Sequence, residues 1–460
     1  MYAHIFKAPL FVAAALFVIC GQAFASERTV NCDKGDSLQK AVDAGAGSAA
    51  PVNINVTGYC TEDVLITRDG VSINGDGNTV IDGRVSVRGA DNLFIQNLTI
   101  TGSGDGISAS FARIRLINVN MIGNDNHGMA LRHGGYILMR DGSIAQNKGD
   151  IGLLVASGLV NLSDVEVFEN AGDGIVVTRN GSLTMSEGGV NGHGNGTGIV
   201  ASLNSAIELD EVHVSFNQGA GVAVSMGASA AINNSMISEN ADAGISVESG
   251  TLALINVETS GNRAGIEASM AKITLEDAQV VNNAERGVDV AASSALIVSG
   301  GTVSGNGGVG IIVDNGSSLA AEGVDISENR SSGVGVRWNS DAEIADCTVG
   351  NNAQGSSRRS GVFVSTSSSA SFGDTEVFGS GTGIGATRQS FIELGGFTVI
   401  RDNLTDGLRL SYDSGAIIDD EVVIPPNGSS WAVFCNDTES SVENQSAGVA
   451  PISCTGFDLP

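Results

Sequence analysis

The stretch VHVSFNQGAGVAVSMGASAAINNSMISENADAGISV, residues 212–247, contains two copies of one pattern. In each copy an aliphatic residue is followed after three positions by Asn, and after four more by Gly and a second aliphatic residue. These residues are Val214, Asn217, Gly221 and Val222 in the first copy, and Ile237, Asn240, Gly244 and Ile245 in the second. The copies lie 23 residues apart, so the stretch predicts a structural repeat of that length.

The same pair of Gly and an aliphatic residue recurs along most of the chain. It begins at Gly106-Ile107 and ends at Gly407-Leu408, which makes fourteen anchors over 301 residues and thirteen intervals averaging about 23 residues. Most anchors have Asn four positions before the Gly, namely Asn124, Asn170, Asn217, Asn240, Asn283, Asn306, Asn329 and Asn403. Chance does not keep such features in phase, so we interpret the chain as one repeat array.

Each repeat contains three short runs with a period of two. In Gly174-Ile175-Val176-Val177 the first and third residues after Gly are aliphatic, and the second is free to vary between repeats. A second run follows at Leu183-Thr184-Met185, and a third precedes the Asn, as in Val212-His213-Val214. Three short strands joined by turn residues describe one coil of a β-solenoid, in which inward side chains stack about 4.8 Å apart.

This pattern excludes two other solenoid folds. Leucine-rich repeats need dominant Leu and a helical or 3₁₀ segment, and left-handed hexapeptide helices have a period of about 18 residues. The sequence therefore predicts an all-β fold consisting of a single right-handed parallel β-helix, a three-sided solenoid with coils of about 23 residues. We expect a helix cap at its N-terminal end and a further cap at its C-terminal end.

Composition narrows the possible partners. The 460 residues include 42% hydrophobic residues, which excludes a disordered chain. With 51 acidic against 23 basic residues, the net charge is −28. A nucleic-acid partner is therefore not expected, because neutralising phosphates requires a basic surface.

Part of the chain also resembles a known superfamily. The segment VSINGDGNTVIDG at residues 71–83, followed by Asn97-Leu98-Thr99-Ile100-Thr101-Gly102, resembles the opening coils of pectin-lyase-like right-handed β-helix proteins. The resemblance covers roughly residues 30 to 420 and specifies a fold rather than a reaction. The superfamily includes polysaccharide lyases, glycoside hydrolases, alginate epimerases and tailspikes. Its functional sites usually lie on the outside of one sheet, so the resemblance implies a polysaccharide partner on such a face.

The first 25 residues have the pattern of a secretory signal peptide. Lys7 precedes an apolar run from Leu10 to Ile19, and Ala23-Phe24-Ala25 supplies the small residues of a cleavage site. The run is too short to span a bilayer, and we expect no membrane span after cleavage. We therefore predict export to the periplasm or the extracellular space.

The remaining chain divides into three parts by its pattern. Residues 26–66 are expected to form an N-terminal cap, residues 67–421 the β-helix and residues 422–460 a C-terminal cap. Residues 36–44 are expected to form a short helix that covers the first coil, because Asp36-Ser37-Leu38-Gln39 offers a capping box. Caps are expected because a solenoid has open ends.

Four cysteines form one pair near each end of the exported chain. Cys32 with Cys60, and Cys435 with Cys454, would each close a short terminal segment in an oxidising compartment. Cys347 occupies an inward phase of the repeat, which predicts a buried and unreactive thiol. Gly192-His193-Gly194 is similar to a polygalacturonase motif, but the paired Asp-Asp and the Arg-x-Lys that accompany it there are missing.

Outward positions of the Gly-anchored strand carry the first candidate site. Five consecutive coils place charged residues there, with Trp338 beside them: Glu248, Glu267, Asp289, Asp314 and Arg337. Stacked carboxylates repel one another unless a cation is present, so calcium is the candidate cofactor for the four acids. The strip is similar in kind to that of calcium-dependent pectate-lyase-type enzymes, which implies Arg337 as the catalytic base and Trp338 as a sugar-stacking residue.

A second candidate site follows one edge of the solenoid. Arg132 and His133 could hold an anionic polysaccharide, and one coil away Arg113 and Arg115 lie on another strand. The turn after the Gly-anchored strand also carries Arg179, Arg388 and Tyr412 in the same phase as His133 and Trp338.

Three functions remain open from the sequence. The preferred hypothesis is an exported β-solenoid that binds an extended polymer, most simply a polysaccharide, on the outer face of one sheet. The second is a calcium-dependent polysaccharide lyase of the pectate-lyase type, and the third is a structural or adhesive surface protein. Whether the protein is an enzyme, and whether it forms oligomers, stays open at this point.

Overall fold

The chain winds into a single β-solenoid whose interior is a continuous apolar column. The computed structural model describes residues 25–44, 50–194, 196–354, 356, 359–428 and 431–454. Each strand pairs in parallel with the equivalent strand of the next coil. Ile107, Val222 and Leu408 are each 0% exposed and occupy equivalent interior positions of their coils. The predicted right-handed parallel β-helix is therefore confirmed.

The Gly-anchored strands form the first sheet. They are Val64–Ile66, Val85–Arg88, the first parts of Ile107–Ile122 and Met129–Ala145, Ile151–Ala156, Asp173–Thr178, Ile199–Ala201, Val222–Ser225, Ile245–Glu248, Ile266–Ser269, Val288–Ala291, Ile311–Val313, Val334–Arg337, Ser360–Ser365, Thr382–Thr387, Leu408–Ser411, Val433–Cys435 and Ile452–Ser453.

The second sheet follows the first around each coil. Its strands are Ser26–Asn31, Val52–Thr57, Val71–Asp82, Leu93–Thr101, Ile107–Ile122, Met129–Ala145, Leu159–Phe168, Ser182–Asn191, Ala206–Asp210, Ser229–Asn233, Thr251–Ile255, Lys272–Glu276, Ala295–Ser299, Ser318–Glu322, Asp341–Ala345, Ser369–Gly373, Phe391–Gly395, Gly415–Ile418 and Ser441–Asn444.

The third sheet completes the coil. It contains Tyr59–Cys60, the last parts of the six long strands between Val71 and Asn191, and then His213–Ser215, Met236–Ser238, Glu258–Ser260, Gln279–Val281, Thr302–Ser304, Asp325–Ser327, Thr348–Gly350, Glu376–Phe378 and Val399–Arg401. The long strands continue around one or two corners without losing their pairing, so Ile107–Ile122 and Met129–Ala145 each contribute to all three sheets.

The corners of the coil are made by residues in the left-handed conformation. In one coil these are Leu203, Glu211 and Phe216, with φ angles of 52°, 56° and 58°. Such a conformation costs a residue with a side chain about 1–2 kcal/mol. Stacking of equivalent corners from coil to coil offsets that cost, because each corner sets the direction of the next strand and hence its parallel pairing.

The recurring Asn forms a buried ladder beside the third corner. The backbone N of Asn217 donates to Oδ1 of Asn240 at 3.1 Å, and its Nδ2 donates to the same oxygen at 2.8 Å and to the Val190 carbonyl at 3.3 Å. The side chain thereby satisfies backbone groups that the turn leaves unpaired. This ladder is the physical reason for the Asn repeat in the sequence.

Cys347 belongs to a similar ladder of small side chains. Its Sγ accepts from the backbone N of Val324 at 3.5 Å and donates to the carbonyl of Ala345 at 3.0 Å. Burial raises the pKa of this thiol. The prediction of a buried thiol is confirmed, and its raised pKa keeps it protonated and unreactive.

A short helix covers the N-terminal end. It spans Leu38–Asp43, and the side chain of Ser37 accepts from the backbone N of Lys40, as the capping pattern predicts. The carboxylate of Glu62, rather than a residue of the helix, accepts a second hydrogen bond from the backbone N of Leu38 at 2.6 Å. A 3₁₀ turn at Cys32–Lys34 precedes the helix.

Both predicted disulfides are present. Cys32 is bonded to Cys60 with a Cα–Cα distance of 5.0 Å, and Cys435 to Cys454 with a distance of 4.9 Å. Each bond closes a short segment at one end of the solenoid.

Parallel stacking extends past residues 67–421, the range expected for the β-helix. Ser26–Asn31 already pairs with Val52–Thr57, and Val433–Cys435 still pairs with Ile452–Ser453 at the other end. The terminal segments therefore contribute coils of their own, because their alternating residues continue the interior column. The division of the chain into a body and caps stays a prediction.

The signal-peptide prediction falls on residues 1–25, nearly all of which lie outside the described residues. Among the residues that the structure describes, no helix has the length and apolar character needed to cross a membrane.

Candidate functional site

The predicted acidic strip does not form one cluster. Glu267 and Asp289 are register partners on neighbouring strands of the first sheet. Glu248 pairs instead with Ser269 in the adjacent outward column. Asp314 lies in that second column three coils further on, about 14 Å along the axis at about 4.8 Å per coil. The alternation of outward positions thus separates acids that the sequence places in consecutive repeats.

Three of the four acids form ion pairs with arginines, although Arg263 is shared between Glu267, Asp242 and Glu285. Arg263 donates to Glu267 at 2.8 Å, Arg286 forms an ion pair with Asp289, and Arg337 contacts Asp314 at 2.6 Å. In the described part of the chain, no group of three or more His, Cys, Asp and Glu is arranged to hold a metal ion.

This donor set does not fit calcium. Calcium needs six to eight oxygen ligands, and carboxylates that already face a guanidinium are poor candidates for that role. Arg337, the predicted base, is held against Asp314 by an ion pair. The calcium and lyase hypotheses stay predictions that this geometry does not favour.

The predicted edge residues share one backbone conformation. His133, Arg179, Trp338, Arg388 and Tyr412 have φ angles between 53° and 61° and occupy the first corner of their coils. Trp338 and Tyr412 are largely exposed. Arg388 and Tyr412 lie in neighbouring coils, two and three coils beyond Trp338. His133 and Arg179 lie several coils away in the same row, so the five residues do not form one compact site.

Arg132 is tied to a buried carboxylate below the same edge. Its Nη1 donates to Oδ2 of Asp105 at 2.8 Å and to the hydroxyl of Ser108 at 3.1 Å, and Asn126 donates to Asp105 at 2.6 Å. Burial by itself would raise the pKa of Asp105, but the hydrogen bond and charge of Arg132 lower it overall. The carboxylate of Asp105 therefore takes the place next to Arg132 where the sequence predicts an anionic polysaccharide.

A groove lies on the outer face of the second sheet. We call it the basic groove and define it by Phe94, Arg113, Arg115, Tyr136, Leu138 and Leu159. Its volume is about 940 Å³. Arg115 and Leu138 also line its continuation, which reaches Ile117 and Arg140.

Strand register explains how the groove is assembled. Phe94, Arg115 and Leu138 are successive partners in one outward column, and Arg113, Tyr136 and Leu159 are successive partners in the next. Equivalent residues on neighbouring strands are about 4.8 Å apart, so cationic and apolar side chains interdigitate over the face. The hydroxyl oxygen of Tyr136 accepts from Nδ2 of Asn161 at 3.3 Å, which fixes the ring.

The arginines of the groove have little compensation from acids. Arg113 lies 3.9 Å from Asp91, with both side chains more than half exposed, and such a pair contributes little. Among the described residues, Arg115 and Arg140 form no ion pair. A positive surface is thereby maintained on a protein of net charge −28.

The sequence pattern predicts two of these arginines, Arg113 and Arg115, but not the groove. Phe94, Tyr136 and Leu138 belong to the second strand of each repeat, whereas the predicted acidic strip lies on the Gly-anchored strand. A usable signal was present, since six of the eighteen arginines fall between residues 84 and 140. His133, one of the predicted residues, is two positions from Gly135 at the border of the groove.

Fold and surface together define a β-solenoid with an open, basic and partly aromatic groove on the outer face of its second sheet. Residues 64–202 and 244–404 match the family described as the right handed beta helix region. The chain belongs to this family, in agreement with the resemblance to pectin-lyase-like proteins.

Solved structures with a similar fold are distant. The mannuronan C-5 epimerase AlgE4 A-module of Azotobacter vinelandii is 14% identical with a TM-score of 0.32, over 93% of this chain and 98% of that one. The periplasmic alginate epimerase AlgG is 12% identical with a TM-score of 0.41, over 70% and 77%. The Dettilon tailspike protein is 13% identical with a TM-score of 0.28, over 90% and 70%. No curated protein sequence matches the chain.

Proposed function

We propose that the protein is exported and binds an extended, negatively charged polysaccharide in the basic groove. The observation that carries this proposal is the set of Arg113, Arg115 and Arg140 beside Phe94 and Tyr136 on an acidic protein. Guanidinium groups bind carboxylates and sulfates by paired hydrogen bonds. A face lined by several cations attracts anions at short range, within about one Debye length.

The shape of the groove favours a polymer over a small molecule. It lies on an open sheet face, and its two columns of side chains run parallel to the solenoid axis across at least four coils. Aromatic rings offer flat apolar surfaces for the C–H faces of sugars, and the arginines offer charge at regular spacing.

Export is supported by the two disulfides. Such bonds form and persist in oxidising compartments, and both lie where they close terminal segments. The periplasm and the extracellular space both meet this condition.

Binding can be measured by calorimetry with the chain from Ser26 onward and polygalacturonate or alginate. The same polymers with their carboxylates reduced to alcohols serve as neutral counterparts of equal length. We expect binding of the acidic polymers that weakens with added salt. Arg115→Gln and Arg140→Gln should each weaken binding at least about fivefold.

Arg330→Gln is the matched control, because it removes an exposed arginine far from the groove. It should bind as the unaltered protein does. Equal binding by the groove variants and the control, or equal binding of acidic and reduced polymers, would contradict the proposal.

A further inference from the structure

A second, smaller hollow lies on the first sheet near the C-terminal end. Its volume is about 390 Å³, at the lower end of the range for small-molecule sites. The residues that line it include Ser360, Phe363, Gly385, Thr387, Arg409 and Ser411. It shares no residue with the basic groove and lies on a different sheet.

Three residues on neighbouring strands give the hollow its shape. Phe363 is the register partner of Gly385, which is in turn the partner of Arg409. All three occupy the same outward column, so Phe363 and Arg409 stand as walls about 10 Å apart with Gly385 as the floor. We call this arrangement the Phe363 slot.

The glycine of the floor is not required by the backbone. Gly385 does not have a positive φ, and a Cβ built on it would meet only the side chain of Ser360, with Oγ at 2.5 Å. A hydroxyl can rotate away from such a contact. An alanine at this position would therefore be free of backbone strain but would displace the Ser360 hydroxyl, which lies over the floor.

Arg409 is held in place by protein groups. Its Nε donates to Oδ2 of Asp406 at 2.7 Å, and Asp406 is 1% exposed. Its guanidinium carbon lies 5.5 Å from the centre of the Phe434 ring. Nη1 has no hydrogen bond to any described residue, so one edge of a fixed guanidinium is available to a ligand.

We propose that the Phe363 slot binds a single sugar ring that carries a carboxylate. The ring would stack on Phe363, and its carboxylate would accept from the available edge of Arg409. The hydroxyls of Ser360, Thr387 and Ser411 surround the floor and match the polar edge of a sugar. Among the described residues, two guanidinium groups line the hollow, those of Arg359 and Arg409, and Arg409 pairs with Asp406.

The test uses saturation-transfer NMR on the exported chain with glucuronate, and with glucose as the neutral counterpart. We expect a signal for glucuronate that exceeds the glucose signal. Phe363→Ala and Gly385→Ala should each weaken glucuronate binding about tenfold, the first by removing a wall and the second by filling the floor.

Two matched variants separate the slot from general effects. Gly335→Ala adds the same methyl group on the other side of Phe363, where a Cβ would meet side chains at 3.8 Å or more. Arg401→Gln removes an arginine that likewise lies over a ring, that of Phe378, on the third sheet. Both should bind glucuronate normally.

Each remaining result overturns the proposal. Equal signals for glucuronate and glucose would show that the carboxylate is not recognised. Equal binding of glucuronate by all variants would show that the ligand does not bind in the Phe363 slot. Arg115→Gln keeps the slot intact and should leave the glucuronate signal unchanged. Loss of polymer binding in that variant, with the monosaccharide signal retained, therefore distinguishes the slot from the basic groove.

Discussion

His193 takes the place of an asparagine in the buried ladder, and its Nδ1 accepts from the backbone N of Asn170 at 3.3 Å. Its own backbone N donates to Oδ1 of Asn217 at 3.3 Å, so the ladder continues through the imidazole. Nε2 is buried without a hydrogen bond of good geometry, although the nearby Val167 carbonyl favours a proton there. The imidazole is thus held in its neutral form.

The presence of His193 in the asparagine ladder makes the free energy of unfolding depend on pH. Burial lowers the pKa of His193 from 6.5 to about 4, despite opposing effects of Asn170 and Val167. Between these values the unfolded chain binds a proton that the folded chain does not, so stability falls as the pH falls from about 6.5 to about 4. The loss amounts to about 3 kcal/mol.

His193→Asn restores the usual ladder residue and should remove this loss. Denaturant unfolding of both proteins at pH 7 and pH 4 isolates the effect, because all other titrating groups are shared. Parallel loss of stability in the two proteins would show that His193 does not cause it.

Thr259 carries a buried hydroxyl without a hydrogen bond. Its register partners in the interior column are Ile237 and Val280, which offer it no polar group. Thr259→Val should therefore raise the stability of these coils by about 1–2 kcal/mol, measured by hydrogen exchange of their amides.

Thr375→Val is the control for that change. The hydroxyl of Thr375 donates to the Gly373 carbonyl at 2.9 Å and accepts from the backbone N of Cys347 at 3.4 Å, so its removal should destabilise the protein. Equal effects at the two positions would contradict the role assigned to the unpaired hydroxyl.

The aromatic residues of the two candidate surfaces should differ in their effect on polymer binding. Tyr136→Ala should weaken retention of polygalacturonate on affinity gels at least about fivefold, because it removes a central ring of the basic groove. Trp338→Ala should have no effect, since Trp338 lies nine coils away, about 43 Å along the axis. The opposite order would favour the predicted edge over the groove.

The lyase hypothesis has a direct assay. With calcium and polygalacturonate, we expect no absorbance from unsaturated uronate, because Glu267, Asp289 and Asp314 are paired with arginines. Absorbance that appears with the unaltered protein and disappears in Arg337→Ala would establish the lyase instead.

The repeat made the fold predictable from the sequence. A Gly-anchored strand with a period of two identifies the interior positions directly, and Val222 and Leu408 are buried where this pattern places them. Helix capping at Ser37 and the spacing of the cysteines were equally local signals.

The candidate site was harder to predict from the sequence than the fold, because it depends on contacts between different segments of the chain. Arg263 and Arg286 lie in the turns before the strand, and no strand pattern shows that they neutralise Glu267 and Asp289. The basic groove arises from register between second strands, where Phe94 comes to lie beside Arg115. Such pairings follow from the winding of the chain and not from the spacing within one repeat.

The first corner has a consequence for how such a protein changes over time. Its residue points away from the interior, and the same left-handed conformation accommodates Phe111, Arg179, Met226, Trp338 and Tyr412. Side chains in this row can therefore be exchanged without disturbing the stacked column beneath them. The solenoid therefore offers a row of evenly spaced surface positions, at which substitutions can change the surface chemistry one coil at a time.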